Sequence, residues 1–171
     1  MGSLSTNDRL MSYPSTVGFL PAYSSPVRGC ETVSAYISVE SERLDPDALR
    51  GFLDIEGCGS VVSFVGITRG NEGDSIVERL EFDHWEKELP LVLERIANTA
   101  LTELEIYSVV IAHRTGSVLP SEPIVCIHVS SPHRAAGFVA CSRIIDELKE
   151  QAPLWKKEVR SDGVSWKAGL G

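Results

Sequence analysis

A chain of 171 residues supplies about one domain's worth of core, and 43% hydrophobic with 23% charged residues is the balance of an ordinary globular protein. No apolar run reaches the roughly 18 residues needed to cross a bilayer, so no membrane association is expected. A formal charge of -8 argues against general nucleic-acid binding, which needs a broad basic surface to displace counterions.

Residues 1–30, rich in serine and proline and without periodicity, read as a flexible N-terminal tail. Residues 31–171 read as one folded domain. Thr32 to Val39 alternates like a strand, and Asp45-Pro46 then opens a helix to about Asp54, with Asp as N-cap and Pro in the first turn. Ser60 to Ile67 is a continuous β-branched run suited to a strand buried on both faces, delivering Thr68 and Arg69 at its end. The turn formers from Arg69 to Asp74 join it to an alternating strand, Ile76 to Asp83.

Trp85 to Leu104 has helical spacing through Leu89, Leu93, Ile96, Ala100 and Leu104, with Pro90 tolerable near the first turn. Strands follow at Ile106 to His113 and Ile124 to Ser130. Residues 133–150 read as a helix with the apolar stripe Phe138, Cys141, Ile145 and Leu148, stopped by Pro153. Beyond it lies a Pro-Leu-Trp-Lys-Lys-Glu loop. Strands and helices mix without a strict βαβ repeat, so the expected fold is α+β, a mixed and largely antiparallel sheet covered by helices.

The charge is uneven. Between Ser130 and Arg160 six basic residues meet four acidic ones, which makes this segment +2 and leaves -10 for the rest of a chain at -8. A basic island in an acidic protein suits a small anionic ligand. In SSPHR, Ser131 is a good N-cap and Pro132 a good first helical residue, which puts His133 and Arg134 in the first turn beside N–H groups that could hold a phosphate. The competing reading is a His and an Arg that only decorate a helix start.

Lys149 in the last helical turn equally suits the helix dipole, but Lys156 and Lys157 beside Trp155 crowd further ammonium groups into a short segment. A lysine partly buried near other cations can act as base or nucleophile. Arg69 at a strand end is a third basic candidate, with a solvated turn arginine as its alternative. His84 and His128 lie on strand patterns without partner spacing for a metal. Cys30, Cys58, Cys126 and Cys141 show no CxxC spacing and read as reduced thiols, mostly in the core. No metal and no cofactor are expected.

Taken in order, GCGSVVSFVGITR, LEFDHWE, HRTG, SSPHRAAGFVACSRIIDELKEQAPLWKKE and DGVSW resemble the catalytic, large subunit of molybdopterin synthase over about residues 31–167. The resemblance implies a cytoplasmic sulfurtransferase of molybdenum-cofactor biosynthesis. In that family a small ubiquitin-like carrier brings sulfur as a thiocarboxylate on its C-terminal Gly-Gly, and cyclic pyranopterin monophosphate becomes the dithiolene molybdopterin. By motif, Lys149 and Lys156 correspond to catalytic lysines, and Arg69, His133 and Arg134 to residues that hold the pterin and its phosphate. Phe64, Thr68, Lys157 and Glu158 would line the same pocket. The family often carries a longer basic C-terminal tail than the stretch after Lys167 supplies, which leaves a tail contribution open.

A helix from 133 to 149 rises 1.5 Å per residue and separates His133 from Lys149 by about 24 Å, too far for one small substrate. The expectation is therefore a homodimer, inside the family's heterotetramer, with each site drawing Lys149, Lys156 and Arg69 from one subunit and His133 and Arg134 from the other. The alternative from another class is a non-catalytic pterin- or nucleotide-phosphate-binding protein.

Overall fold

The computed structural model describes residues 34–168, so the expected tail over residues 1–30 lies outside the described residues. Two sheets share the chain. The first has the order β1 (Ser34–Glu40), β5 (Ser108–Arg114), β7 (Pro123–Ser131), β2 (Ser60–Ile67), with β1 parallel to β5 and the other pairs antiparallel. The second runs β3 (Asn71–Glu72), β4 (Ser75–His84), β8 (Leu154–Arg160), β9 (Gly163–Ala168), with β6 (Gly116–Val118) also paired to β4. With three helices this is the expected α+β class, with its sheet divided in two.

Helices α2 (Glu88–Glu103) and α3 (Arg134–Gln151) cover one face of the first sheet. Leu89, Leu93 and Ile96 of α2 and Ala140, Ile144 and Leu148 of α3 meet Val109, Ile111, Ile127 and Val129 in the main core. The opposite face is closed by α1 (Pro46–Arg50) and the segment after it, through Leu49 and Leu53 against Val110, Ala112 and Cys126. Asp45 caps α1 as expected, its Oδ1 accepting from the N–H groups of Asp47 and Ala48 at 3.0 and 3.1 Å. The helix ends at Arg50, short of Asp54. The β3–β4 hairpin turns on Gly73 at φ 61, the first of two loop residues, where a type II′ turn favours glycine.

Three expectations change. Strand β2 is not buried on both faces, because it is the sheet's edge strand: α3 covers one side, and Val61, Phe64 and Ile67 stay 41%, 37% and 53% exposed. Phe138 leaves the apolar stripe of α3 and stands 63% exposed, while Gly137, Ala140 and Ile144 face the core. The Leu-Trp-Lys-Lys-Glu stretch is strand β8, registered on β4 by Leu80↔Glu158, Glu81↔Lys157 and Phe82↔Lys156. Its partner lies some seventy positions upstream, beyond the reach of a local pattern.

Candidate functional site

The turn into α3 is moulded by backbone packing. Gly59 N–H donates to Ser131 O at 3.0 Å, and a Cβ on Gly59 would sit 2.2 Å from Pro132 O. Ser131, fully buried, shares a 2.9 Å hydroxyl contact with Ser60 and donates to His133 O at 3.1 Å. Gly137 closes the first turn on Val62, where a Cβ would meet Val62 Cγ2 at 2.9 Å and Ser131 Oγ at 2.8 Å. Ser131 is thus not the N-cap: it is the last residue of β7, and its hydroxyl serves a carbonyl. The cap is His133, extended at φ -137 and ψ 143, and no side chain caps the first turn. His133 and Arg134 are exposed there, and among the described residues neither is ion-paired.

At the other end of α3, Lys149 is exposed in the last turn. Ala152 and Pro153 then lead into β8, where Lys156, Glu158 and Arg160 occupy alternate positions of one face. Glu158 is the buried centre, its side chain 7% exposed. It accepts from Arg160 Nη2 at 2.6 Å and Nε at 3.1 Å, and Lys156 Nζ lies 3.4 Å from its other oxygen. On the opposite face Lys157 Nζ donates to Glu81 at 2.8 Å and stands 5.7 Å from the Trp166 ring centroid. That bond from Lys157, with a second from Arg79, holds the Glu81 carboxyl below its ordinary range.

Arg69 follows β2 with its side chain 80% exposed, 3.4 Å from Glu72. Its neighbour Gly70 accepts from Val77 N–H at 2.9 Å, and Val77 is registered on Arg160, so the Arg69 loop joins the far end of β8. Thr68 is buried, with its backbone tied to Ser121 and Glu122 and its hydroxyl without a hydrogen-bond partner among the described residues. Phe64 is exposed on β2.

The structure therefore gathers Lys156, Lys157, Glu158 and the Arg69 loop around one sheet, with Lys149 just before it, and leaves His133 and Arg134 elsewhere. Two lengths measure the gap. Lys149 is 15 residues along α3 from Arg134, about 22 Å at 1.5 Å each. Strand β2 starts opposite Ser131 and ends before Thr68, seven steps or about 24 Å later.

Sequence reasoning missed Arg160 as a site neighbour; Arg114, a weaker strand-end candidate beside His113, is buried and paired with Glu122 at 2.8 Å. The alternation Lys156, Glu158, Arg160 was the available signal, hidden once the segment was read as a loop. The histidines of the first sheet are packed. Burial holds His113 down to about 4, with Nδ1 2.7 Å from Arg114 O, and burial also lowers His128, which contacts Ser63 Oγ at 2.8 Å. Burial pushes the Cys126 and Cys141 thiols up to about 11, far from a thiolate nucleophile at neutral pH.

Residues 39–151 match the family model of the MoaE protein. The molybdopterin synthase catalytic subunit of Pseudomonas aeruginosa is 35% identical over 135 residues, 78% of this chain and 90% of that protein. The Arabidopsis thaliana subunit of that name is 36% identical over 129 residues, 75% of this chain and 65% of its own length. The Ralstonia nicotianae subunit is matched over 61% of its length, so the chain spans a little under two thirds of these last two relatives. Among solved structures, molybdopterin synthase from Staphylococcus aureus superposes with a TM-score of 0.71 at 30% identity, covering 76% of this chain and 95% of that one. A complex of subunits 1 and 2 of the Helicobacter pylori molybdopterin-converting factor, at TM-score 0.64 and 21% identity over 79% and 92% of the two chains, shares the fold.

Proposed function

The chain belongs to the MoaE family, and from that premise we propose that it acts as a molybdopterin synthase catalytic subunit. In this reading it is a sulfurtransferase that converts cyclic pyranopterin monophosphate to molybdopterin, using sulfur from the thiocarboxylated Gly-Gly end of a small ubiquitin-like carrier. The observation that carries it is Lys156, a lysine with 15% side-chain exposure set 3.4 Å from a buried carboxylate. It stands in a chain whose buried thiols, Cys126 and Cys141, are held protonated. Sulfur that arrives already activated needs no cysteine from the enzyme; it needs cations for an anionic substrate and a group to move protons.

Lys149 and Lys156 take the catalytic roles, steering the carrier's C-terminus and transferring protons as the thiocarboxylate is consumed. Arg69, His133 and Arg134 hold the pterin and its phosphate, and Phe64, Thr68, Lys157 and Glu158 line the pocket. The separation of about 22 Å along α3 supports a homodimer, within a heterotetramer with two carriers, in which His133 and Arg134 serve the neighbour's site. We also read the protein as cytoplasmic: Cys58, Cys126 and Cys141 are unpaired, and no helix of the described residues is long and apolar enough to cross a membrane.

Dithiolene formation with a thiocarboxylated carrier tests the chemistry. Lys149→Ala and Lys156→Ala should each lower turnover by roughly 100-fold, the usual worth of a proton-transfer group; unchanged turnover would remove the catalytic assignment and leave a binding protein. Shared sites are tested by subunit exchange between His133→Ala/Arg134→Ala and Lys149→Ala proteins. Heterodimers regain one intact site, so about a quarter of wild-type activity should return from a statistical mixture. Activity no higher than that of either parent would exclude composite sites.

A further inference from the structure

Glu158 is the shared partner of two cations, and it treats them unequally. Arg160 takes Oε2 with two donors, at 2.6 and 3.1 Å, while Lys156 stays 3.4 Å from Oε1. Tight charge-assisted N–H···O bonds are about 2.7–2.9 Å, so the lysine pair is loose and the arginine pair is not. Arg160 itself is well placed to hold. It is registered on Val77, its side chain is 17% exposed, and the next residue, Ser161, exchanges bonds with Ile76: Ser161 N–H to Ile76 O at 2.9 Å and Ile76 N–H to Ser161 Oγ at 3.2 Å.

We infer that Arg160 is a positioning residue that holds Glu158 away from Lys156, so that the lysine's donors stay available to incoming anions. A buried carboxylate deprived of Arg160 shifts toward the Lys156 ammonium 3.4 Å away, because a closer pair offsets more of its desolvation. Lys156 then spends its donors on Glu158. The inference rests on the catalytic reading of Lys156 for its functional consequence, while the clamp itself is a statement about three side chains. Planarity matters: the guanidinium brings two fixed donors, Nε and Nη2, onto one carboxylate oxygen, and an ammonium at the same position supplies a weaker, single-point hold.

The test labels the folded protein with a small amine-acylating reagent and compares Lys156 with Lys149 by mass spectrometry. Arg160→Gln should slow labelling of Lys156 about tenfold relative to Lys149, and Arg160→Lys should bring it back to within about threefold of wild type. A purely structural role predicts the opposite sign, since loosening β8 exposes Lys156 and speeds its labelling. Arg160→Met keeps the apolar stem and carries the same expectation should the Gln variant not fold. In the dithiolene assay Arg160→Gln should lower kcat about tenfold while leaving KM for the pterin within about twofold. Labelling that is unchanged or faster overturns the clamp. A wild-type protein that makes no dithiolene but shows the labelling pattern overturns the proposed function and leaves the clamp standing.

Discussion

The two ends of α3 are built by different physics. At the N-terminal end, His133 and Arg134 are exposed and their backbone is set by shape: Gly59 and Gly137 admit contacts that no side chain would allow, and a buried serine holds the His133 carbonyl. Past the C-terminal end, β8 carries a network of charges around the buried Glu158, with Lys156 and Arg160 15% and 17% exposed. The first end presents His133 and Arg134 on a rigid turn and asks nothing of their side chains. The second restrains its cations through carboxylates, which makes their availability adjustable by neighbouring residues.

If charge holds the second end, removing its centre should be the costliest change. Glu158→Gln leaves Lys156 and Arg160 facing a neutral amide, and breaking a buried ion pair from one side costs about 3 kcal/mol. Urea denaturation should show that loss, and a loss below about 1 kcal/mol would mean that the network is as weak as a surface pair. Acid should act next. His113 lies under β4, its ring 5.5 Å from that of Phe82, which is registered on Lys156. Its folded value of about 4 lies below the ordinary 6.5, so the unfolded chain binds the extra proton between these values and stability falls as pH drops through that window. The shift corresponds to about 3 kcal/mol at most by pH 4, at about 1.4 kcal/mol per unit. Glu81 and Glu122, whose carboxyls are held low, add losses of the same sign at still lower pH. His113→Leu should flatten the pH 4–6.5 limb, and hydrogen exchange at pH 5 should open β4 and β8 before the α3 turn.

The shape-built end should answer to volume instead. Gly59→Ala places a methyl 2.2 Å from a backbone carbonyl, which cannot rotate away; about 2 kcal/mol is the expected cost of such overpacking. At Gly137 an alanine gains about 1 kcal/mol of helix propensity, against crowding of Val62 and Ser131 worth about 1–3 kcal/mol, so the net loss is smaller. Both variants should retain the labelling pattern at Lys156. If either disturbs it, the two ends are coupled and the contrast between them fails.

Much of this contrast was legible in the sequence, unevenly. The Asp45 cap, the span of α3 and the placing of Lys149 and His133 at its two ends follow from local periodicity and end signals, which need no distant partner. Strand β8 was not legible, because Lys-Lys-Glu becomes a strand only by pairing with residues 77–84. Losing β8 hid Arg160, since the alternation that puts Lys156, Glu158 and Arg160 on one face exists only in extended backbone. Strand β2 misled for the opposite reason. Its apolar run is real, but edge position in the sheet is a property of topology and leaves Phe64 and Ile67 open.

The smallest expected effect is also the sharpest check on how Arg69 is held. Arg69 and Arg160 both pair with glutamates near the Val77 end of the second sheet, yet Arg69 is 80% exposed and 3.4 Å from Glu72, against 17% and 2.6 Å for Arg160 with Glu158. Exposed pairs trade a weak attraction in high dielectric for side-chain entropy, so Glu72→Gln should change stability by no more than about 0.5 kcal/mol. It should also reduce pterin binding little, because Arg69 is already accessible to an anion. Paired measurements of urea midpoint and pterin affinity decide the matter. A loss of Glu72→Gln stability comparable to that of Glu158→Gln would mean that Arg69, too, is restrained by its carboxylate, and that charge holds every cation on this sheet alike.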